Sequence, residues 1–119
     1  NIFVTNPKNL SLEEMFRLAL THTPGSETYN KIFMTAVQLF PDNPVANLNA
    51  ACISLMQRDV KSAGHYLEKA PEVPETALAK GVLYLLKNQY EEAESFFRQA
   101  KAAGLSQADD NLKRILELK

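Results

Sequence analysis

The sequence predicts an all-α chain built as a stack of helical hairpins, and three observations predict it. Ala51, Ala63, Leu67 and Ala70 recur thirty residues later as Gly81, Ala93, Phe97 and Ala100, with the same internal spacing. Self-similarity at such a period marks stacked supersecondary units, and small residues at fixed intervals mark places where helix backbones touch. Elsewhere apolar residues recur at three- and four-residue steps, as in Ile32, Phe33, Ala36, Val37 and Phe40, which is helical spacing. Pro7, Pro24, Pro41, Pro44, Pro71 and Pro74 all fall between the periodic segments and none lies inside one.

Taken in order, residues 1–9 read as an extended N-terminal remnant or linker belonging to no repeat unit. The chain opens at Asn1 without an initiator Met or a signal-type apolar segment, which predicts a piece of a longer protein. A first helix is expected over 10–22, opened by the capping box Ser11-Leu12-Glu13-Glu14. There hydroxyl and carboxylate each reach the other's free N–H. A second helix, over 26–39, carries the apolar stripe just described. Asn43-Pro44 opens a third over 44–57, a capping side chain followed by proline at the first helical position. Asp59 caps a fourth over 60–70, which Pro71 stops. Helices over 75–87 and 90–103 carry the second half of the echo, and Ser106-Gln107-Ala108-Asp109 opens the last, over 106–118.

Helices this short are marginal alone, so they are expected to pack in order as three hairpins and one leftover helix. The repeat units are then 10–43, 44–73 and 74–107. The middle one is shorter by four residues at the Pro71 to Pro74 connection.

The pattern resembles the tetratricopeptide repeat (TPR) family, in which a small residue sits mid-helix A and alanine, a large apolar residue and alanine follow on helix B. Ala51, Ala63, Leu67 and Ala70 fit it, as do Gly81, Tyr84, Tyr90, Ala93, Phe97 and Ala100. Pro41-Asp42-Asn43-Pro44 resembles the family's closing segment, and 96–104 is also similar to Sel1-like repeats. The resemblance covers about 10–118 and implies a right-handed superhelix of three hairpins plus a C-terminal capping helix. It weakens in the first unit, where Arg17, Tyr29 and Phe33 stand at the small, small and large positions and only Ala36 is on pattern. Lys80 holds a position that is usually apolar, and Asn47 one where an aromatic is common. The stretch 11–51 is also similar to C-terminal TPR segments of OmpA-like or fimbria-associated envelope proteins of Gram-negative bacteria. That likeness implies a periplasmic, outer membrane-associated setting.

Composition bounds the function. With 45% hydrophobic and 23% charged residues the chain is globular, and 119 residues make one ordinary domain. Thirteen basic and fourteen acidic residues are mixed along it, for a net charge of −1, so no nucleic-acid partner is expected. The longest apolar run, 82–86, is too short to insert in a membrane. A single cysteine, Cys52, excludes an internal disulfide framework.

Candidate chemistry is sparse. His22 and His65 lie on different expected hairpins, so no metal site or cofactor is predicted. Cys52, between Ala51 and Ile53, reads as a small hydrophobe and not as a reactive thiolate. The carboxylate pairs Glu13-Glu14, Glu91-Glu92 and Asp109-Asp110 fall in first turns, where they favour the helix dipole. Tyr66, Tyr84, Tyr90, Phe96 and Phe97 are expected in the core as clamps between helices. No catalytic residues emerge, and an enzyme is not expected.

What the TPR resemblance implies instead is a concave groove lined by the first helix of each hairpin. Its positions would be Val45, Leu48, Asn49, Cys52, Leu55 and Met56, then Leu78, Ala79, Val82, Leu85 and Leu86, with Glu14, Met15, Leu18 and His22 from the first unit. Family members that bind acidic chain ends use basic residues and asparagine there. Here only Asn49 matches and the lysine position holds Leu48 and Leu78, so no carboxylate clamp is expected. An apolar groove remains, suited to a peptide or helix of a partner protein. The alternative is a structural spacer or scaffold whose groove is filled by a neighbouring element or by a second copy, giving a homo-oligomer. The last helix, with Leu112, Ile115 and Leu116 on one face and Asp109–Lys113 and Asp110–Arg114 as expected ion pairs on another, would cap the stack.

Overall fold

The computed structural model describes residues 12–118. The extended segment expected over 1–9, the first two residues of the expected first helix and the Ser11 end of its capping box lie outside them. Among the described residues the chain forms seven helices and no strand: α1 Leu12–Ala19, α2 Glu27–Leu39, α3 Pro44–Met56, α4 Val60–Leu67, α5 Pro74–Leu86, α6 Tyr90–Ala102 and α7 Gln107–Leu118.

Two helices stop about three residues short of expectation, for one reason. After α1, Thr21 and His22 donate their amides to the carbonyls of Leu18 and Ala19; after α4, Lys69 and Ala70 donate to Tyr66 and Leu67. Bonds three residues back tighten the last turn and end the regular ladder. Helix starts follow the capping residues. Ser26 Oγ accepts from Tyr29 N at 3.3 Å, Asn43 Oδ1 from Ala46 N at 2.9 Å and Asp59 Oδ1 from Ser62 N at 3.2 Å. At α7 the Asp109 carboxylate pairs with Lys101 of the preceding helix at 3.0 Å, and the expected Asp109–Lys113 and Asp110–Arg114 pairs do not form. Lys101 lies in the last turn of α6 and Asp109 in the first turn of α7, so the short connection between the helices brings them together.

Three helices end alike. Arg58, Asn88 and Gly104 take left-handed backbone, with φ of 60°, 63° and 101°. The next amide in each case, from Asp59, Gln89 and Leu105, reaches back to the carbonyls of Ser54, Tyr84 and Ala100. These are Schellman closures, which satisfy carbonyls the helix leaves unpaired. Arg58 and Asn88 are thirty residues apart, so the sequence echo extends to the backbone of the turns.

Each helix packs on its chain neighbours, most closely within the pairs α3–α4 and α5–α6, and α3 also touches α5. The radius of gyration is 15.1 Å and the extents are 49 × 25 × 25 Å. A compact domain of about 110 residues would have a radius near 13 Å. The molecule is therefore elongated, and its core is a row of clusters.

The echo residues form the closest contacts of that row. Ala51, Ala63, Ala93, Phe97 and Ala100 are fully buried and Leu67 nearly so. A Cβ on Gly81 would lie 2.5 Å from Phe97 Cδ1 and Cε1, far inside contact distance. The equivalent pair in the preceding unit is Ala51 and Leu67, in one buried cluster. A smaller partner on one helix thus accompanies a larger one on the other. Between α1 and α2 an aromatic cluster takes the place of this arrangement. Phe33 packs edge-on against Tyr29 at 4.6 Å and also contacts Phe16 at 5.5 Å, beside the buried Met15, Ala19 and Ile32.

Two buried polar residues hold the proline turns. Asn47, where an aromatic was expected, is 1% exposed and donates Nδ2 to the carbonyls of Asn43 at 2.8 Å and Pro41 at 3.0 Å. Thr76 Oγ1 donates to the Pro71 carbonyl at 2.6 Å. The Asn43 and Pro71 carbonyls also accept the backbone amides of Asn47 and Val73, so the two side chains add second bonds there, and Asn47 ties the Pro41 carbonyl to the turn as well.

Candidate functional site

Two surface clefts lie on this frame. The first is an apolar cleft of about 280 Å³ between α3 and α5, lined by Cys52, Leu55, Met56, Glu75, Ala79 and Val82. Met56 is 59% exposed. Cys52 is exposed yet surrounded by apolar atoms, and desolvation raises its thiol above the ordinary value. It is therefore a neutral thiol at pH 7 and a poor nucleophile.

Of the groove positions expected from sequence, the cleft brings together Cys52, Leu55, Met56, Ala79 and Val82. Val45 is exposed and Asn49 half-buried, both outside the cleft. Leu48 and Leu86 pack down onto the Ala51–Leu83 cluster. Leu78 and Leu85 pack against the cluster of Phe97, Ala108 and Ile115, so α7 takes up that part of the expected groove. In the first unit Met15 is fully buried among Ile32, Phe33 and Ala36 and is a core residue, with Leu18 packed beside it. Glu14 is exposed and His22 half-buried just past the end of α1.

The second cleft is larger, about 990 Å³, and the sequence reading missed it. It opens between α4 and α6 over a floor of α5, with Lys61, His65, Glu68, Lys80, Tyr84 and Phe96 among its walls. Tyr84 and Phe96, expected as core clamps, are half-exposed and stack face to face here, with centroids 5.5 Å apart and planes 9° from parallel. Lys80 Nζ lies 5.8 Å from the Phe96 centroid and Lys87 Nζ 5.3 Å from that of Tyr84. The signal was present in sequence: consecutive helical residues point about 100° apart, so Phe96 and Phe97 cannot both face the core. Lys80, Tyr84 and Lys87 stand at i, i+4 and i+7, one stripe of α5. Phe97 is a core residue, and Tyr66, Tyr84 and Tyr90 all pack against the core clusters, so Tyr84 borders the cleft while also contacting the core.

Among the described residues no group of three His, Cys, Asp or Glu side chains converges as a metal site would require, and no helix is long and apolar enough to cross a membrane. The carboxylates of Glu91, Glu92, Asp109 and Asp110 lie in the first turns of α6 and α7. No protein-family model matches the chain, and no curated protein or solved structure matches it either.

Proposed function

We propose that this chain is a non-catalytic protein–protein interaction module, a TPR-like array that seats a peptide or helix of a partner in the apolar cleft between α3 and α5. The observation that carries the reading is Met56, a flexible apolar side chain 59% exposed beside a cleft whose lining has one charged residue, Glu75. Exposed methionine adapts to varied apolar partners, and amphipathic helices dock in such grooves through residues spaced three and four apart. Self-association is the second reading, favoured by Leu116 and Leu118 on α7, 67% and 50% exposed, which a second copy could present to the cleft.

A displayed library of amphipathic helices, selected on the chain, tests both. Binders are expected to be lost on Met56→Asp or Val82→Asp and on alkylation of Cys52, with helicity by circular dichroism unchanged. Binders indifferent to all three changes, or no binders from a protein that sediments as a monomer at every concentration, would reject the groove. Dimers that dissociate on Leu116→Asp would favour the self-filled cleft.

A further inference from the structure

The second cleft has a chemistry of its own, independent of the apolar one. Connections of a few residues join α3 to α4 and α4 to α5, so successive helices run antiparallel and α3 and α5 run the same way. Lys61, in the first turn of α4, therefore lies at the same end of the cleft as Lys87, which caps the C-terminus of α5. Glu68 and Glu72, past the end of α4, lie at the opposite end, beside the proline turn. The cleft is polarised along its length, with lysines at one end, carboxylates at the other and the Tyr84–Phe96 stack with Lys80 between them.

Neither Lys80 nor Lys87 is in an ion pair among the described residues, unlike Lys69 with Asp42, Arg98 with Glu94 and Lys101 with Asp109. Each ammonium is held instead over an aromatic face. That contact orients a cation without neutralising it, so its N–H donors stay available to an anion. A polyanion suits the site poorly, because Glu68 and Glu72 would repel its far end. A short peptide segment suits it well.

We propose that the cleft between α4 and α6 is a second binding site, taking a peptide segment of a partner protein that carries acidic side chains close to an apolar one. The carboxylates meet Lys87, Lys61 and Lys80, and the apolar side chain lies on the Tyr84–Phe96 stack. Specificity comes from charge polarity along the cleft, as complementary potentials fix register more than they add affinity.

The test is a displayed library of random seven-residue peptides, selected on the full chain. Enriched peptides should carry Asp or Glu two to four positions from an apolar residue, in one consistent order. Their binding should weaken with rising salt, as expected where charges act across a Debye length of about 10 Å. The double variant Lys80→Glu/Lys87→Glu should weaken it about tenfold or more, Lys80→Arg/Lys87→Arg should retain it, and Met56→Asp should leave it unchanged. That last variant separates this site from the apolar cleft. No enrichment, enriched peptides without acidic residues, or binding indifferent to the charge reversal would overturn the proposal. So would tighter binding of a twenty-nucleotide oligothymidine that competes with the peptides, since the site would then be a stacking platform for single strands.

Discussion

Gly81 is a glycine because of Phe97. Its Cβ would fall 2.5 Å from two ring carbons, and the ring is wholly buried. Gly81→Ala should therefore destabilise, although alanine is the better helix former. Overpacking of a core costs about 1–3 kcal/mol and the propensity gain is about 1 kcal/mol, leaving a net loss of up to about 2 kcal/mol. In a Phe97→Leu background the same change should stabilise, because Leu67 already sits with Ala51 in the neighbouring unit. Urea midpoints of the four proteins give the result; a loss of equal size in both backgrounds would show that Phe97 is not the cause. The size of this step was legible in sequence as an alternation of small and large positions. The reciprocal fit of each pair was not, since it depends on how closely the backbones approach. Asn47 stood out in sequence only as a departure from the aromatic common at that position; its bonds to the Pro41 and Asn43 carbonyls depend on how the turn folds back over it.

At the scale of the element, helix starts were more legible than helix ends. Asn43 and Asp59 cap where expected, because a cap is a local bond between residues three apart. The ends of α1 and α4 are set by turns that tighten under packing. Arg58 and Asn88 close their helices in a conformation for which glycine, and after it asparagine, is the usual signal, so Asn88 carried a cue in sequence and Arg58 did not. The Asp59 cap predicts a pH dependence. Hydrogen bonds from the Ser62 hydroxyl and then its amide lower the Asp59 carboxyl below its ordinary value, desolvation opposes them, and Lys61 adds a small lowering. A lowered folded value means the stabilisation is fully present above the ordinary carboxylate range, near pH 4, and is lost as pH falls through the still lower folded value. The difference in urea midpoint between the wild type and Asp59→Ala should be constant from pH 7 to about 5 and shrink towards pH 2. A difference that does not change over that range would mean the ionised carboxylate is not what caps α4.

Across the whole molecule, all-α architecture and the order of seven helices could be read from proline placement and apolar period, since both act locally. The clefts could not be read as well. Leu78 and Leu85 look like groove residues in sequence, and only the placement of α7 shows that they are covered. The wider cleft depends on the gap between α4 and α6, two helices whose own patterns say nothing of their separation. The row of clusters makes a further expectation. Ile115 is fully buried at one end, so Ile115→Ala should cost about 2–5 kcal/mol. In an elongated stack that loss should be local. Amide exchange should quicken in α5, α6 and α7 well before α1 and α2. Equal acceleration in all seven helices would show one cooperative unit.

The pairing of Gly81 with Phe97 also constrains the order in which such a contact can change. Between an alanine–leucine pair, as at Ala51 and Leu67, and a glycine–phenylalanine pair lie only two single-step intermediates. Alanine with phenylalanine is a steric clash, whereas glycine with leucine leaves only a small void, which neighbouring side chains can partly close. A lineage that enlarges the ring side does so after the glycine has arrived, and one that reverts must lose the ring first. The contact fixes the order of its own substitutions, with glycine and leucine as the common intermediate in both directions.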